Sequence, residues 1–140
     1  MYKDRHFVPQ SKKTGVSRLK VRRKYEMNVF EDLDVWKRSC RLTVALYNSL
    51  NDCKDRCFKD QMTRAALSIP SNIAEGAERR TKKEFINFLS IAKGSAAELR
   101  TQVYIASKIK LISASDCKNF TDELKIISAM LQKLISAQGK

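Results

Sequence analysis

Few residues in this chain are equipped for bond-making chemistry. Its 140 residues hold one histidine, His6. That removes most histidine-based catalysis and histidine-rich metal sites. Glu75 and Glu98 are the candidate carboxylate pair. Two carboxylates can serve as acid and base, or hydrolyse a substrate with a metal's help. Such a pair needs the metal or a shifted pKa, and no histidine stands near it. The chain therefore reads as a non-enzyme with no cofactor and no metal. The four cysteines are Cys40, Cys53, Cys57 and Cys117. Cys53 and Cys57 have no second pair to complete a zinc site. Reduced thiols are the expectation, with Cys40 on an apolar helical stripe as a small core residue.

Cations are the plentiful chemical type. Lys and Arg number 28 against 15 Asp and Glu, a net charge of +13. Such an excess suits an acidic partner: nucleic acid, an anionic membrane surface or an acidic protein. The charge falls into two groups. Residues 1–26 carry nine basic and two acidic residues, or +7, ending in Arg22, Arg23 and Lys24. This segment has no sustained apolar period and reads as a flexible basic arm. Its end, Ser17 to Lys24, suits a short helix formed on a polyanion.

The second group is Arg79, Arg80, Lys82 and Lys83, extended by Arg64, Lys93 and Arg100. It sits where a helix begins, and a helix start offers unpaired N–H groups to an anion. Little aromatic interleaving accompanies it, so phosphate contact is expected rather than base reading. The plain alternative is a solvated charged face.

A polar string lies between these cations. Pro70, Asn72, Glu75 and Gly76 fall within Ser68–Gly76, and Gly94, Ser95 and Glu98 follow downstream. One reading is architectural: Pro70 kinks a helix, Asn72 and Glu75 satisfy polar groups at the bend, and Gly76 permits close packing. The other makes Asn72, Glu75 and Glu98 a patch for ligand or subunit contact. The residues alone leave both open.

Four amphipathic segments must position these groups. Leu33, Trp36, Cys40, Val44, Tyr47 and Leu50 recur at helical spacing over Phe30 to Asn51, with Lys37, Arg38 and Arg41 off that face. Phe58, Met62, Ala65, Ile69, Ile73 and Gly76 do so over Arg56 to Glu78, with a kink favoured at Pro70. Thr81-Lys82-Lys83-Glu84 has the form of a capping box. Phe85, Phe88, Ala92, Ser95, Leu99, Val103 and Ala106 follow it, and this helix is expected to reach Leu111. Its small cluster Gly94 to Ala97 predicts close approach by a neighbouring helix. Ser113 or Ser115 caps the last segment, whose seam is Phe120, Leu124, Ile127, Leu131 and Leu134. Ile126, Met130 and Ile135 widen that stripe beyond what one neighbour needs. Short connections between such helices give an antiparallel up-down-up-down four-helix bundle, an all-α fold.

The string Ser68-Ile69-Pro70-Ser71-Asn72-Ile73-Ala74-Glu75-Gly76 is followed by Arg79-Arg80, Lys83-Glu84-Phe85, Phe88 to Ser95 and Glu98-Leu99. Phe30, Leu33, Val35, Trp36, Gln61, Arg64 and Ala65 stand upstream. In these residues the chain resembles the four-helix-bundle family encoded by intervening sequences inside 23S ribosomal RNA genes. The resemblance implies antiparallel bundles assembled as homopentameric rings. It also brings in a related group, accessory proteins of diversity-generating retroelements, whose basic pentamer binds nucleic acid and a reverse transcriptase. The resemblance spans about residues 27–137, leaving 1–26 as the arm and 138–140 as a tail.

Function follows as an expectation. The chain reads as a homo-oligomer, a pentamer by the resemblance, that associates with RNA or other nucleic acid. The alternative is an adaptor ring that binds a protein partner. No apolar run suits a secretory signal or a membrane span, and the arm lacks the amphipathic face of an organellar presequence. A cytoplasmic protein with no membrane partner is expected.

Overall fold

The computed structural model describes residues 29–139. A short 3-10 turn, Phe30–Asp32, precedes four helices: α1 (Asp34–Ser49), α2 (Arg56–Ala77), α3 (Lys82–Lys108) and α4 (Ala114–Gln138). No strand occurs among the described residues. Each helix packs on its neighbours in the chain, and α1 closes the ring of four against α4. This is the expected bundle.

Local chemistry sets three of the four helix starts. Asp55 accepts from Phe58 N at 3.0 Å and opens α2. Thr81 and Glu84 form the predicted capping box of α3. Ser113 accepts from Asp116 N at 3.0 Å and opens α4. Each cap satisfies a donor that the first helical turn leaves unpaired. The third helix stops at Lys108, short of Leu111. Leu111 N bonds Ala106 O at 2.8 Å, and Lys110 N bonds Ser107 O at 3.1 Å. These two bonds are a Schellman ending, with Lys110 in the left-handed position at φ 62°.

The core faces of α2, α3 and α4 carry the expected residues. Met62, Ala65, Ile69 and Ile73 meet Ala92, Leu99, Val103 and Ala106, and Phe120, Leu124, Ile127 and Leu131 complete the interior. Phe85, Phe88 and Leu134 lie at its margin, half-buried. The first helix departs from expectation. Its buried face is Val35, Ser39, Leu42, Thr43, Leu46 and Leu50. Val44 and Tyr47 are exposed, at 61% and 46%, and Trp36 and Cys40 are half-buried. Ser39 and Thr43 look polar but bury at little cost. The Ser39 hydroxyl donates to Trp36 O at 2.8 Å, and that of Thr43 donates to Ser39 O at 2.8 Å.

Helix α2 runs through Pro70 without a stop. Proline lacks the N–H that would bond the carbonyl four residues earlier. That carbonyl belongs to Ala66, and the Thr43 hydroxyl of α1 reaches it at 3.2 Å. A neighbouring helix thus covers the acceptor that Pro70 orphans.

Candidate nucleic-acid interface

The turn between α2 and α3 is drawn tight by Gly76. A Cβ there would lie 2.6 Å from Phe88 Cβ and 3.1 Å from the Phe85 ring. Only glycine lets the end of α2 approach the start of α3 so closely. The turn then presents Arg79, Arg80, Lys82 and Lys83, all exposed. They are not equivalent. Arg79 Nη2 bonds Glu75 Oε1 at 2.7 Å, and its guanidinium lies 4.9 Å from the centre of the Phe88 ring. Arg79 is therefore engaged within the chain. Arg80, Lys82 and Lys83 carry no ion pair among the described residues.

The helix start is a weaker anion site than expected. Glu84 N donates to Thr81 Oγ1 at 3.1 Å, and Glu84 Oε2 accepts from Thr81 N at 3.2 Å and from its hydroxyl at 2.8 Å. The capping box satisfies two donors and places a carboxylate where a phosphate would sit. Phosphate attraction at this turn rests on the three free side chains.

The other expected cations do not join the turn. Arg64 is exposed on α2, sixteen residues before Arg80, or about 24 Å of helix. Arg100 is similarly far along α3 from Lys83 and is exposed. Lys93 Nζ donates to Gln132 Oε1 of α4 at 2.7 Å, so it belongs to the α3–α4 seam. Arg22, Arg23 and Lys24 lie outside the described residues.

The polar string divides. Asn72 donates to Ser68 O at 2.7 Å and Ser68 Oγ at 2.9 Å, and Ser68 Oγ bonds Ser95 Oγ of α3 at 2.8 Å. Ser95 is buried and Asn72 half-buried. This chain of bonds spans Pro70 and ties α2 to α3 through Ser68, which supports the architectural reading for these residues. Within the small cluster the expected close approach comes at Ser95 and Ala96, which are buried, with Ser95 reaching Ser68 of α2, whereas nothing lies within 4 Å of a Cβ built on Gly94. Glu98 is exposed and its carboxylate accepts from Gln102 at 3.4 Å. The Ser68–Ser95 bond fixes the antiparallel register. By that register, Glu75 and Glu98 sit at levels about 15 Å apart along the bundle. They do not face each other as an acid–base pair.

Among the described residues no group of three or more His, Cys, Asp or Glu is placed to hold a metal ion. All four cysteines are free. Burial pushes the Cys40 thiol above its ordinary pKa, so it stays protonated at neutral pH. Two open recesses flank α1, one beside Cys40, Val44 and Asn48, the other between Leu42 and Phe120 where Arg38 pairs with Glu123 at 2.8 Å. Both are surface grooves and enclose nothing.

Sequence reasoning missed one surface aromatic. Tyr104 is 59% exposed on α3, with Lys108 Nζ 5.4 Å from its ring centre. Its place outside the α3 core stripe was the available signal.

The family model described as 23S rRNA-intervening sequence protein matches residues 31–133. The chain belongs to this family. The match takes in the first helix, the α2–α3 turn and most of α4. No curated protein matches the chain. One solved structure is a protein of unknown function from the S23 ribosomal protein family of Bacteroides thetaiotaomicron. It aligns with a TM-score of 0.68 at 24% identity, covering 72% of this chain and 97% of that one. That likeness is one of fold. It agrees with the four-helix bundle of this chain.

Proposed function

We propose that this chain is a non-enzymatic, cytoplasmic homo-oligomer that associates with RNA or other nucleic acid through basic surfaces. The observation that carries the reading is the α2–α3 turn. It offers Arg80, Lys82 and Lys83 to solvent with no ion pair to neutralise them among the described residues. Phosphate contacts of this kind position a polyanion without reading its sequence. Assembly multiplies such a site, because each copy adds the same cations. Exposed Val44 and Tyr47 on α1, Ile91 and Ile105 on α3, and Ile126 on α4 support self-association. The family resemblance supplies the pentamer as the expected stoichiometry.

Light scattering on the full chain, with and without a short RNA, tests both parts. A mass several times 16.1 kDa is expected, rising further with RNA at about 50 mM salt. A single-chain mass refutes the oligomer, and no RNA-dependent change refutes the association. The second reading, an adaptor ring for a protein partner, draws on the exposed apolar residues of α1. A pull-down that survives nuclease treatment favours it.

A further inference from the structure

The acidic residues of α3 and α4 are not spread evenly round their helices. On α3 they are Glu84, engaged in the capping box, and Glu98, bonded to Gln102. On α4, Asp116 accepts from Ser49 of α1, and Glu123 pairs with Arg38 of α1. Both of these therefore turn towards α1. The remaining acid, Asp122, is bonded by Lys118 at 2.7 Å.

The opposite flank of these helices is mainly basic, with Asp122 its one acid, beside Lys118 and Lys125. Lys93 bonds Gln132 across the α3–α4 seam, which fixes both the seam and the antiparallel register. Seven residues are two helical turns within about 20°. Arg100 on α3 and Lys125 on α4 each lie seven residues from that bond, towards the same end, so they flank the seam at one level. Lys108 and Lys118 flank it near the next. Successive levels are about 10 Å apart. Arg100, Lys108 and Lys125 are exposed and carry no ion pair among the described residues. Tyr104 stands between Arg100 and Lys108 on α3, one turn from each, with most of its ring in solvent.

From this seam we infer a track for single-stranded nucleic acid, in which Arg100 and Lys125 hold phosphates from either side at one level, Lys108 holds one near the next, and Tyr104 stacks on an unpaired base. The inference rests on the nucleic-acid reading above and gives it a second, distinct surface. Two features favour a single strand over a duplex. A base stacks on an exposed aromatic only when it is free of its own helix, and every base has a π-face to offer. The cations border a narrow seam, Arg100 and Lys125 on either side at one level and Lys108 near the next, which suits one strand's backbone better than the two of a duplex. Nothing in the seam depends on a 2′-hydroxyl, so RNA and DNA strands are expected to bind alike.

Fluorescence anisotropy on the full chain tests the track. The probes are a labelled 20-nucleotide mixed-sequence RNA strand, the same strand as DNA, and the blunt RNA duplex. The double variant Arg100→Ala, Lys125→Ala is expected to weaken strand binding at least tenfold. Its salt dependence should be shallower by about 1.4 in log–log slope, about 0.7 for each phosphate no longer neutralised. Tyr104→Ala should weaken strand binding while leaving duplex binding within twofold, and Tyr104→Phe should restore it. These side chains are exposed, and circular dichroism should show each variant fully helical. Loss of strand binding in Arg80→Ala, Lys82→Ala, Lys83→Ala, with no change in the seam variants, overturns the track and leaves the broader reading standing. Equal effects of Tyr104→Ala on strand and duplex also overturn it, as does a strict preference for RNA over DNA. No binding of any probe by the unmodified chain sinks the broader reading as well.

Discussion

Single residues hold this bundle at points where a rule of helix chemistry is broken. Pro70 sits in the middle of α2, where it removes one backbone bond. The Thr43 hydroxyl answers from α1, shared between Ser39 O and Ala66 O. Thr43→Val keeps the shape and deletes the donor, leaving a buried acceptor unmet. A loss of about 1–3 kcal/mol is expected from denaturant unfolding. In a Pro70→Ala background the restored N–H can serve Ala66 O, so the same change should cost about 1 kcal/mol less. Equal costs in both backgrounds would show that the hydroxyl does not compensate for the proline. The glycines divide in a similar way. Gly76→Ala forces a Cβ to 2.6 Å from Phe88 Cβ and should destabilise by about 1–3 kcal/mol. Gly94→Ala meets nothing within 4 Å and should stabilise the helix by about 1 kcal/mol. A destabilising Gly94→Ala in the assembled protein would place another chain against that face.

At the scale of elements, the ends and faces of helices follow different kinds of information. Lys110 closes α3 under conformational strain, since a side chain in the left-handed region costs about 1–2 kcal/mol. Lys110→Gly removes the side chain and keeps the Schellman bonds. A gain of about 0.5–1 kcal/mol, read as a raised Tm, is expected. No gain would mean that the Lys110 side chain makes interactions as strong as the strain. The caps were legible in the sequence because they are local: Thr81 with Glu84, and Ser113 with Asp116, act within one turn. The core faces of α2, α3 and α4 were legible because most of their large apolar residues repeat on one stripe, although Leu67, Ile91, Ile105 and Ile126 fall off it and are exposed. Helix α1 was misread because it has two stripes of the same period. Trp36, Cys40, Val44 and Tyr47 outweigh Ser39 and Thr43 on any apolarity scale, yet the hydroxyls bond their own helix and go inside. The Thr43–Ala66 bond was illegible for another reason. It depends on how two helices dock, and no local pattern encodes that. The α3–α4 basic seam was hidden similarly, since Arg100 and Lys125 become neighbours only through the register set by Lys93 and Gln132.

For the whole molecule, the net charge of +13 is a sum over two regions. Residues 1–26 contribute +7 and lie outside the described residues, whereas the remainder contributes +6. The bundle's share is sorted by pairing. Arg38, Arg79 and Lys118 are held by Glu123, Glu75 and Asp122. Of the cations in no ion pair among the described residues, Arg80, Lys82 and Lys83 gather at one end and Arg100, Lys108 and Lys125 border one seam, and these are the ones proposed to act on a polyanion. Removing residues 1–26 therefore separates their charge from that of the described helices. The helical core lies within residues 29–139, so the shortened chain should keep its circular dichroism and its oligomeric mass. Its affinity for a single strand should fall at about 50 mM salt, and its log–log salt slope should drop by about 0.7 for each phosphate that the arm had neutralised. A measurable slope should remain, and adding Arg100→Ala with Lys125→Ala should lower it by about a further 1.4, leaving the share of Arg80, Lys82, Lys83 and Lys108. Complete loss of binding on the first deletion would assign all the affinity to the arm, and the paired and unpaired cations of the bundle would then be surface charge and nothing more.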